Sequence, residues 1–568
     1  MIDAPLSDKA MTKLSGYFVR DDGYSHLDST GARLNDERGQ GARLDLRLRP
    51  TDAVTWDVAA DYTHADDLLV IDSHNFLNPG PRVVFSLGLN KGETPQAPYL
   101  ANRKKDFTLG NDVGSAALAS TIDVDFGGER SLVFVTGARR NTQKYARANP
   151  SSFRLGPTSG TFSDGEYEQI TQEVVFRGPL ARDIWLVAGV SYLHEKNSDD
   201  LARFTLDRTL FTAFSTVVSR TDSTLKGKTD AGAVFADVEV RPIEHLTLGL
   251  GVRFTDERKI LTITPNAVPA PPPQNVAPLF LRVFTTDISG AGRQHSQIYT
   301  PRFTASYQFS PDVMFYASVG RGYTAAGWDT LASGDLNARG GVRPETAWSY
   351  EAGIKALALA ETLRLNVTAF SMTVKDRQVS EAPRFIAPSP FAVAALANAA
   401  DLRSQGVEAE LAWQPLDGLS IVASAGVLDA RYKNPNADVM RYSTACKAGG
   451  FADPLCGAGL LRRDGEFDRP SLAPRTTAAV GLSYDWPLAA GYALTPAIQI
   501  ALNEGTARRI GMTRPTAEQV DTSLNFGPTD GDWSLAFVCE NCAVWPRGPH
   551  AYSLDEPARW AVRARFNL

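Results

Sequence analysis

TPRFTASYQF (300–309), VMFYASVGRGY (313–323), ETAWSYEAGIKA (345–356), LRLNVTAFSMTV (363–374), GVEAELAW (406–413) and LSIVASAGVL (419–428) decide the fold. The six runs pair as three hairpins. The first turns through Ser310-Pro311-Asp312 and the third through Gln414-Pro415-Leu416-Asp417-Gly418, and long polar stretches separate one hairpin from the next. In the fifth run Val407, Ala409, Leu411 and Trp413 share one parity, and Gly406, Glu408, Glu410 and Ala412 the other.

A period of two is the signature of a strand, because successive side chains leave it on opposite sides. One apolar and one charged face fit half of a soluble sandwich. They fit equally a membrane barrel with its apolar face in lipid and its polar face on a wet lumen.

Composition does not choose between these. The chain has 568 residues, a formal net charge of −6 and 21% charged residues, and shows no composition shift that would divide it. The charge argues against a nucleic-acid surface. No apolar run approaches the roughly 18 residues of a membrane helix; FAVAALA (391–397) is far too short. MIDAPLSDKAMTK lacks the basic-then-apolar order of a signal peptide.

Outward from the central hairpins the same grammar recurs. Alternating runs at 13–20, 42–49, 54–63, 116–126, 131–139, 172–178, 184–193, 232–240 and 246–254 precede them. Others at 476–486, 494–502, 520–526, 533–539 and 558–568 follow, giving about twenty strands. Short turns rich in Pro, Asp and Gly alternate with long excursions; 256–299, with PAPPPQ at 269–274, reads as a loop. A sandwich or propeller scatters long and short links, whereas an outer-membrane barrel has short periplasmic turns and long external loops. The expected fold is all-β, a transmembrane antiparallel up-and-down barrel. In the last run Trp560, Val562, Ala564, Phe566 and Leu568 share one face and Arg559, Arg563 and Arg565 the other, so the aromatic face belongs in lipid.

YASVGRGYTAAGW (316–328), RPETAWSYEAGIKA (343–356), LRLNVTAFSMTVKDRQV (363–379) and SQGVEAELAWQPLDGLSI (404–421) resemble the barrel of a TonB-dependent outer-membrane receptor. Weaker likeness at 4–24 and 533–542 extends the match over 1–568. The resemblance implies a 22-stranded barrel, with a signal peptide, a TonB-contacting box and a plug ahead of it. None of these is recognised here, and 4–18 resembles the turn leading into the third strand, so a truncated barrel portion is expected. It also implies import of scarce solutes, most often ferric siderophores, with TonB driving the plug. Barrel-assembly machinery reads the final strand (Trp560, Phe566, Leu568), and the barrel contacts outer-membrane lipid and lipopolysaccharide. A passive pore and a nonfunctional fragment or half of a split receptor are the rival readings.

No catalytic set appears, no cofactor is called for, and the chain is not expected to be an enzyme. The seven histidines are dispersed, and no phosphate loop, dinucleotide fingerprint or GxSxG elbow is present. Acidic pairs Asp21-Asp22, Asp66-Asp67 and Asp199-Asp200 read as solvated loop charge rather than cation sites. Cys446 with Cys456 and Cys539 with Cys542 are candidate disulfides of an oxidising compartment; no second pair completes a zinc site. Tyr323, Trp328, Tyr432 and Tyr442 read as an interfacial aromatic belt. Arg321 and Arg343 flank one external loop and, with Tyr323 and Trp328, are the candidate ligand-facing residues, suited to an anionic chelate.

Overall fold

The computed structural model describes residues 2–23, 25–26, 33–34, 36–67, 110–149, 158–207, 216–266, 281–285, 289–328, 341–385, 392–449, 456, 460–470, 473–504, 507–508, 512–513, 517–529, 531–542 and 558–566. The proline-rich 269–274, His74, His550 and Leu568 lie outside them.

Among the described residues one sheet holds 23 strands. Two are the short Leu281–Thr285 and Trp486–Pro487. The long ones begin with β1 (Ile2–Ser7), β2 (Ala10–Asp21), β3 (Glu37–Thr51), β4 (Val54–Asp67), β5 (Gly110–Asp125), β6 (Ser131–Asn149) and β7 (Thr158–Ala181). Next come β8 (Ile184–Asp207), β9 (Thr216–Ile243), β10 (Leu246–Pro265), β11 (Gly290–Ser310), β12 (Val313–Thr324), β13 (Glu345–Ala358) and β14 (Leu363–Phe385). The chain ends with β15 (Ala392–Leu416), β16 (Leu419–Lys433), helix α1 (Ala437–Lys447), β17 (Thr476–Tyr484), β18 (Tyr492–Asn503), β19 (Ala517–Pro528), β20 (Trp533–Glu540) and β21 (Arg559–Phe566).

The chain divides into two compact units. The first comprises 1–238, 253–299 and 326–341, and the second 239–252, 300–325 and 342–568. In the first, β1 to β8 pair antiparallel in chain order. A parallel ladder in it sets Thr216–Arg220 beside Leu281–Thr285. In the second, β12 to β21 pair antiparallel in chain order. This follows from the links, since a turn of two or three residues can only return the chain antiparallel to itself.

The alternation read from the sequence is realised near the short turns. On β3 and β4, Leu44, Leu46 and Leu48 register with Ala60, Val58 and Trp56 on one face. On the other face Arg43 binds Asp45 at 2.7 Å and Arg47 binds Asp57 at 2.6 Å. On β20 and β21, Phe537 meets Val562 and Trp533 meets Phe566, while Arg563 binds Glu540 at 2.6 Å on the opposite face.

Farther from the short turns the polarity inverts. On β10, Arg258 and Ile260 are exposed, whereas Leu261 and Ile263 on the opposite parity are buried. The latter join Leu201 of β8 and Leu225 of β9 in a small core. This inversion explains why the observed strands outrun the expected ones. The stretch 172–178 is part of a 24-residue β7, and the expected loop 256–299 contains the ends of β10 and β11. Polar residues on the face that is apolar elsewhere look like loop, yet they still alternate. FAVAALA likewise opens β15 from Ala392.

Candidate functional site

The most elaborately built external feature belongs to the second unit, where β13, β14 and β15 run past the membrane-length part of the sheet. Two irregularities aim it. Between Val374 and Arg377, β14 carries an extra residue, and Asp376 adopts φ 54°. A left-handed residue without Gly costs about 1–2 kcal/mol, and Asp376 is held there from both sides. Its N–H donates to Asp401 at 3.1 Å, and its carboxylate accepts from Arg343 at 2.7 Å. A second shift, opposite Arg377 and Gln378, leaves Ala399 as the extra residue on β15. Such a bulge turns the following side chains to a new face.

Glu345 lies at the centre of the resulting network and its side chain is only 6% exposed. It accepts from Arg377 Nη1 at 2.6 Å, from the Gln378 N–H at 2.6 Å and from Thr324 Oγ1 at 3.0 Å. A buried carboxylate is tolerated only when its lone pairs are so occupied. Gln378 Nε2 donates to the carbonyls of Ala325 and Arg343, and Asn398 Nδ2 to those of Arg343 and Asp376. Beside them Asp401 accepts from Lys375 Nζ at 2.6 Å and from Asn434 Nδ2 at 2.8 Å. Burial pushes the Asp401 carboxyl up, but these hydrogen bonds and that from Asp376 outweigh it and hold it below the usual carboxylate range.

On this base sits a lobe with its own core. Asn436 caps α1 through Oδ1, which accepts from the Val439 N–H at 2.9 Å, and its own N–H donates to Ala399 O. Val439, Tyr442 and Cys446 recur at helical spacing and face Val379, Ala382, Ala397 and Ala399 of the sheet, together with Leu460 and Leu461. The alanines of 395–400 let the helix approach. Cys446 and Cys456 are joined, with Cα atoms 5.8 Å apart. Ser443 Oγ donates to Gly465 O at 2.7 Å; Gly465 has φ 78°, and a Cβ there would meet Ser443 O at 2.5 Å. Burial also pushes the Asp468 carboxyl up, more than Arg462 draws it down, with Asp464 adding to the rise.

The residues singled out in the sequence fall in several environments. Arg343 is the cation of the bulge network, its side chain 72% exposed and bound to Asp376. Arg321 and Tyr323 register opposite Trp348 and Thr346, on the parity of Phe315, Ala317 and Val319. Trp328, in the first unit, packs against the Leu201–Leu225–Leu261–Ile263 core. It lies over Gly292, whose Cβ would meet the indole at 2.6 Å. Lys259 Nζ and Gln294 Nε2 donate to the carbonyls of Ala326 and Gly327 beside it. The belt reading is corrected for three aromatics. Tyr442 is 5% exposed on the lobe helix, Tyr432 packs against the lobe core, and Trp328 covers Gly292. Cys539 and Cys542 are joined where β20 ends. Asp199 accepts from Ser163 and Asp200 from Thr224, so cross-strand bonds hold that acidic pair. Glu345, Gln378, Asn398 and Asp401 went unnoticed in the sequence as individual residues, although the runs 343–356 and 363–379 that contain Glu345 and Gln378 stood out.

A family model of the TonB dependent receptor-like β-barrel matches residues 9–542. This chain belongs to that family. The receptor's fold also resembles solved structures of low identity. Against the ferric yersiniabactin uptake receptor FyuA from Yersinia pestis, the TM-score is 0.70 at 16% identity, covering 99% of this chain and 74% of that one. Against the ferric-catecholate import receptor Fiu from E. coli K12, it is 0.67 at 12% identity, covering 99% and 78%. The siderophore receptor PiuA from Acinetobacter baumannii gives 0.66 at 11%, covering 95% and 74%.

The receptor is an outer-membrane transport protein of a non-enzymatic family, and its faces take their meaning from that. The leucine and aromatic face meets lipid, and the Arg–Asp face lines the lumen. Arg321 and Tyr323, by parity, stand on the lipid-side face near its external limit. On the lumen face of the second unit, Ser420, Ser424, Ala479, Gly481, Ser483 and Ala497 border a cavity of about 650 Å³ that Glu540 and Arg563 also line.

Proposed function

We propose that this receptor imports a scarce chelated solute of the ferric siderophore class, drawing energy through TonB. The observation that carries this reading is the external lobe of the second unit. Helix, disulfide, private core and bulge network together make a rigid surface that a passive pore does not need. A pre-ordered surface binds without paying again for its own ordering. Arg343, exposed beside that lobe, supplies a cation for an anionic chelate, whereas Arg321 and Tyr323, on the lipid-side parity, and Trp328, packed over Gly292, are left out of the proposed contacts. The siderophore class is supported by the names of the structural neighbours. The energised steps belong to a plug and a TonB-contacting segment, roles to which no residue of 1–568 is assigned. The C-terminal strand, with Trp560 and Phe566 on its lipid face, suits recognition by barrel-assembly machinery.

The test is uptake of iron-55 delivered on catecholate, hydroxamate and mixed chelates, in cells stripped of other receptors and with or without TonB. Uptake of one chelate that disappears without TonB is expected, weakened in an Arg343→Ala variant. Absence of uptake for every chelate, with a steady conductance in planar bilayers, would overturn the reading in favour of a passive pore.

A further inference from the structure

We infer that the Cys539–Cys542 bond is made in the periplasm before β21 pairs with β20, so that thiol oxidation licenses the last strand pairing of the second unit. The two cysteines close the turn Cys539-Glu540-Asn541-Cys542 where β20 ends, with Cα atoms 5.7 Å apart. Cys539 lies on the parity of Leu535 and Phe537, the lipid-side face, and is only 1% exposed. In the ladder it stands between Thr522 of β19 and Trp560 of β21. The Trp560 ring in turn lies 5.3 Å from that of Phe537. Cys542, by contrast, is half-buried.

One of the neighbours that enclose Cys539 therefore arrives with the final strand. Until β21 pairs, β20 is an edge and the Cys539 thiol is open on that side. Afterwards it has sheet on both sides and faces neither water nor the periplasm. Exchange needs a thiolate to reach the sulfur it attacks, so an oxidoreductase can serve both cysteines only in the earlier state. The reaction balances as an exchange with a protein disulfide of that class. Two electrons and two protons pass from the two thiols to the oxidant, whose S–S bond breaks to leave a dithiol, while a new S–S bond joins Cys539 to Cys542.

Made at that stage, the bond settles a register that the strands do not settle themselves. Both β20 and β21 are apolar on one parity, and sliding one past the other by two residues leaves every side chain on its own face. The turn removes this freedom. Asn541 adopts φ 57°, and its N–H donates to Asp521 Oδ1 at 2.7 Å. The Cys542 N–H donates to Val520 O at 2.7 Å, and Thr522 Oγ1 lies 3.4 Å from Cys542 Sγ. The chain is thus folded back onto β19, and β20 stops at Glu540. That last residue is the ladder partner of Arg559, and its carboxylate binds Arg563 at 2.6 Å. A left-handed residue other than Gly opposes such a turn, and tying Cys542 to Cys539 takes the open alternatives away. With the thiols free, β20 has no fixed end and β21 no fixed start.

The test follows pulse-labelled full chain in cells, in a Cys446→Ser/Cys456→Ser background so that only the second pair can oxidise. Folded receptor is separated from unfolded by its heat-modifiable migration, and each band is denatured and its thiols counted with a maleimide of large mass. Oxidised chains are expected first in the unfolded band, with no folded receptor carrying two thiols. In cells without a periplasmic dithiol oxidant the folded band should be lost, and a small-molecule disulfide in the medium should restore it. Folded receptor that appears reduced and oxidises afterwards, or that accumulates at the usual rate without the oxidant, overturns the inference. A Cys539→Ser/Cys542→Ser chain should no longer respond to the oxidant; a response that persists would place the requirement in another protein and overturn the licensing role. Should that variant not assemble at all, the order of oxidation and folding in the chain that keeps Cys539 and Cys542 decides alone.

Discussion

Replacing Glu345 by Gln keeps the volume of a side chain that is nearly buried and removes the charge that three donors share. Breaking a fully buried ion pair costs about 3–5 kcal/mol. Arg377, however, is 41% exposed and regains water on losing its partner. The remaining cost is that of turning charge-assisted hydrogen bonds into neutral ones, about 2 kcal/mol in all. Local opening of the bulge should thus become about thirtyfold more frequent. Hydrogen exchange at the Gln378 amide, which Glu345 accepts directly, reads that opening. It should accelerate by about that factor in Glu345→Gln and more in Glu345→Ala, while amides paired near the short turns, such as those of 363–370, keep their protection. If Gln378 exchanges at the wild-type rate in both variants, Glu345 does not organise the bulge and the account of the lobe's base is wrong.

Three further outcomes follow from the same geometry. Cys446→Ser/Cys456→Ser should lower the lobe's stability by about 3 kcal/mol in the chain-entropy model. The readout is tryptic cleavage after Lys447, Arg462 and Arg463, and cleavage as slow as in the wild type would contradict a stapling role. Gly292→Ala should displace the Trp328 ring, at a cost of about 1–3 kcal/mol for overpacking. Its emission should then shift to the red relative to a Trp328→Phe control, and an unmoved spectrum would mean that the close approach has slack. Lobe stability should pass through a maximum in mild acid. As pH falls through the raised value of Asp468, a half-buried charge is removed and the lobe gains. Below the ordinary carboxylate value of 3.8, Asp401 protonates through its lowered value, and the stability from Lys375, Asn434 and Asp376 is lost. Exchange protection at 439–446 that falls steadily from neutrality downward would exclude this.

What the sequence determined by itself was local. Leu44, Leu46 and Leu48 against Arg43, Asp45 and Arg47 need only two environments, lipid and water, one on each side of a strand, so period-two alternation states strand and face together. Pro, Asp and Gly at the short links then dictate antiparallel order. Nothing local marks where the environments exchange sides. Arg258 and Leu261 read as part of a loop with the proline-rich 269–274, since no apolar parity carries on past 254, and only packing against Leu201, Leu225 and Ile263 shows that the strand continues. Nothing local, either, brings Glu345 to Arg377 and Gln378 or sets α1 on Ala397 and Ala399. Those contacts depend on register and on two extra residues in the ladder, which tertiary pairing alone decides, because a strand's own sequence reads the same in every register.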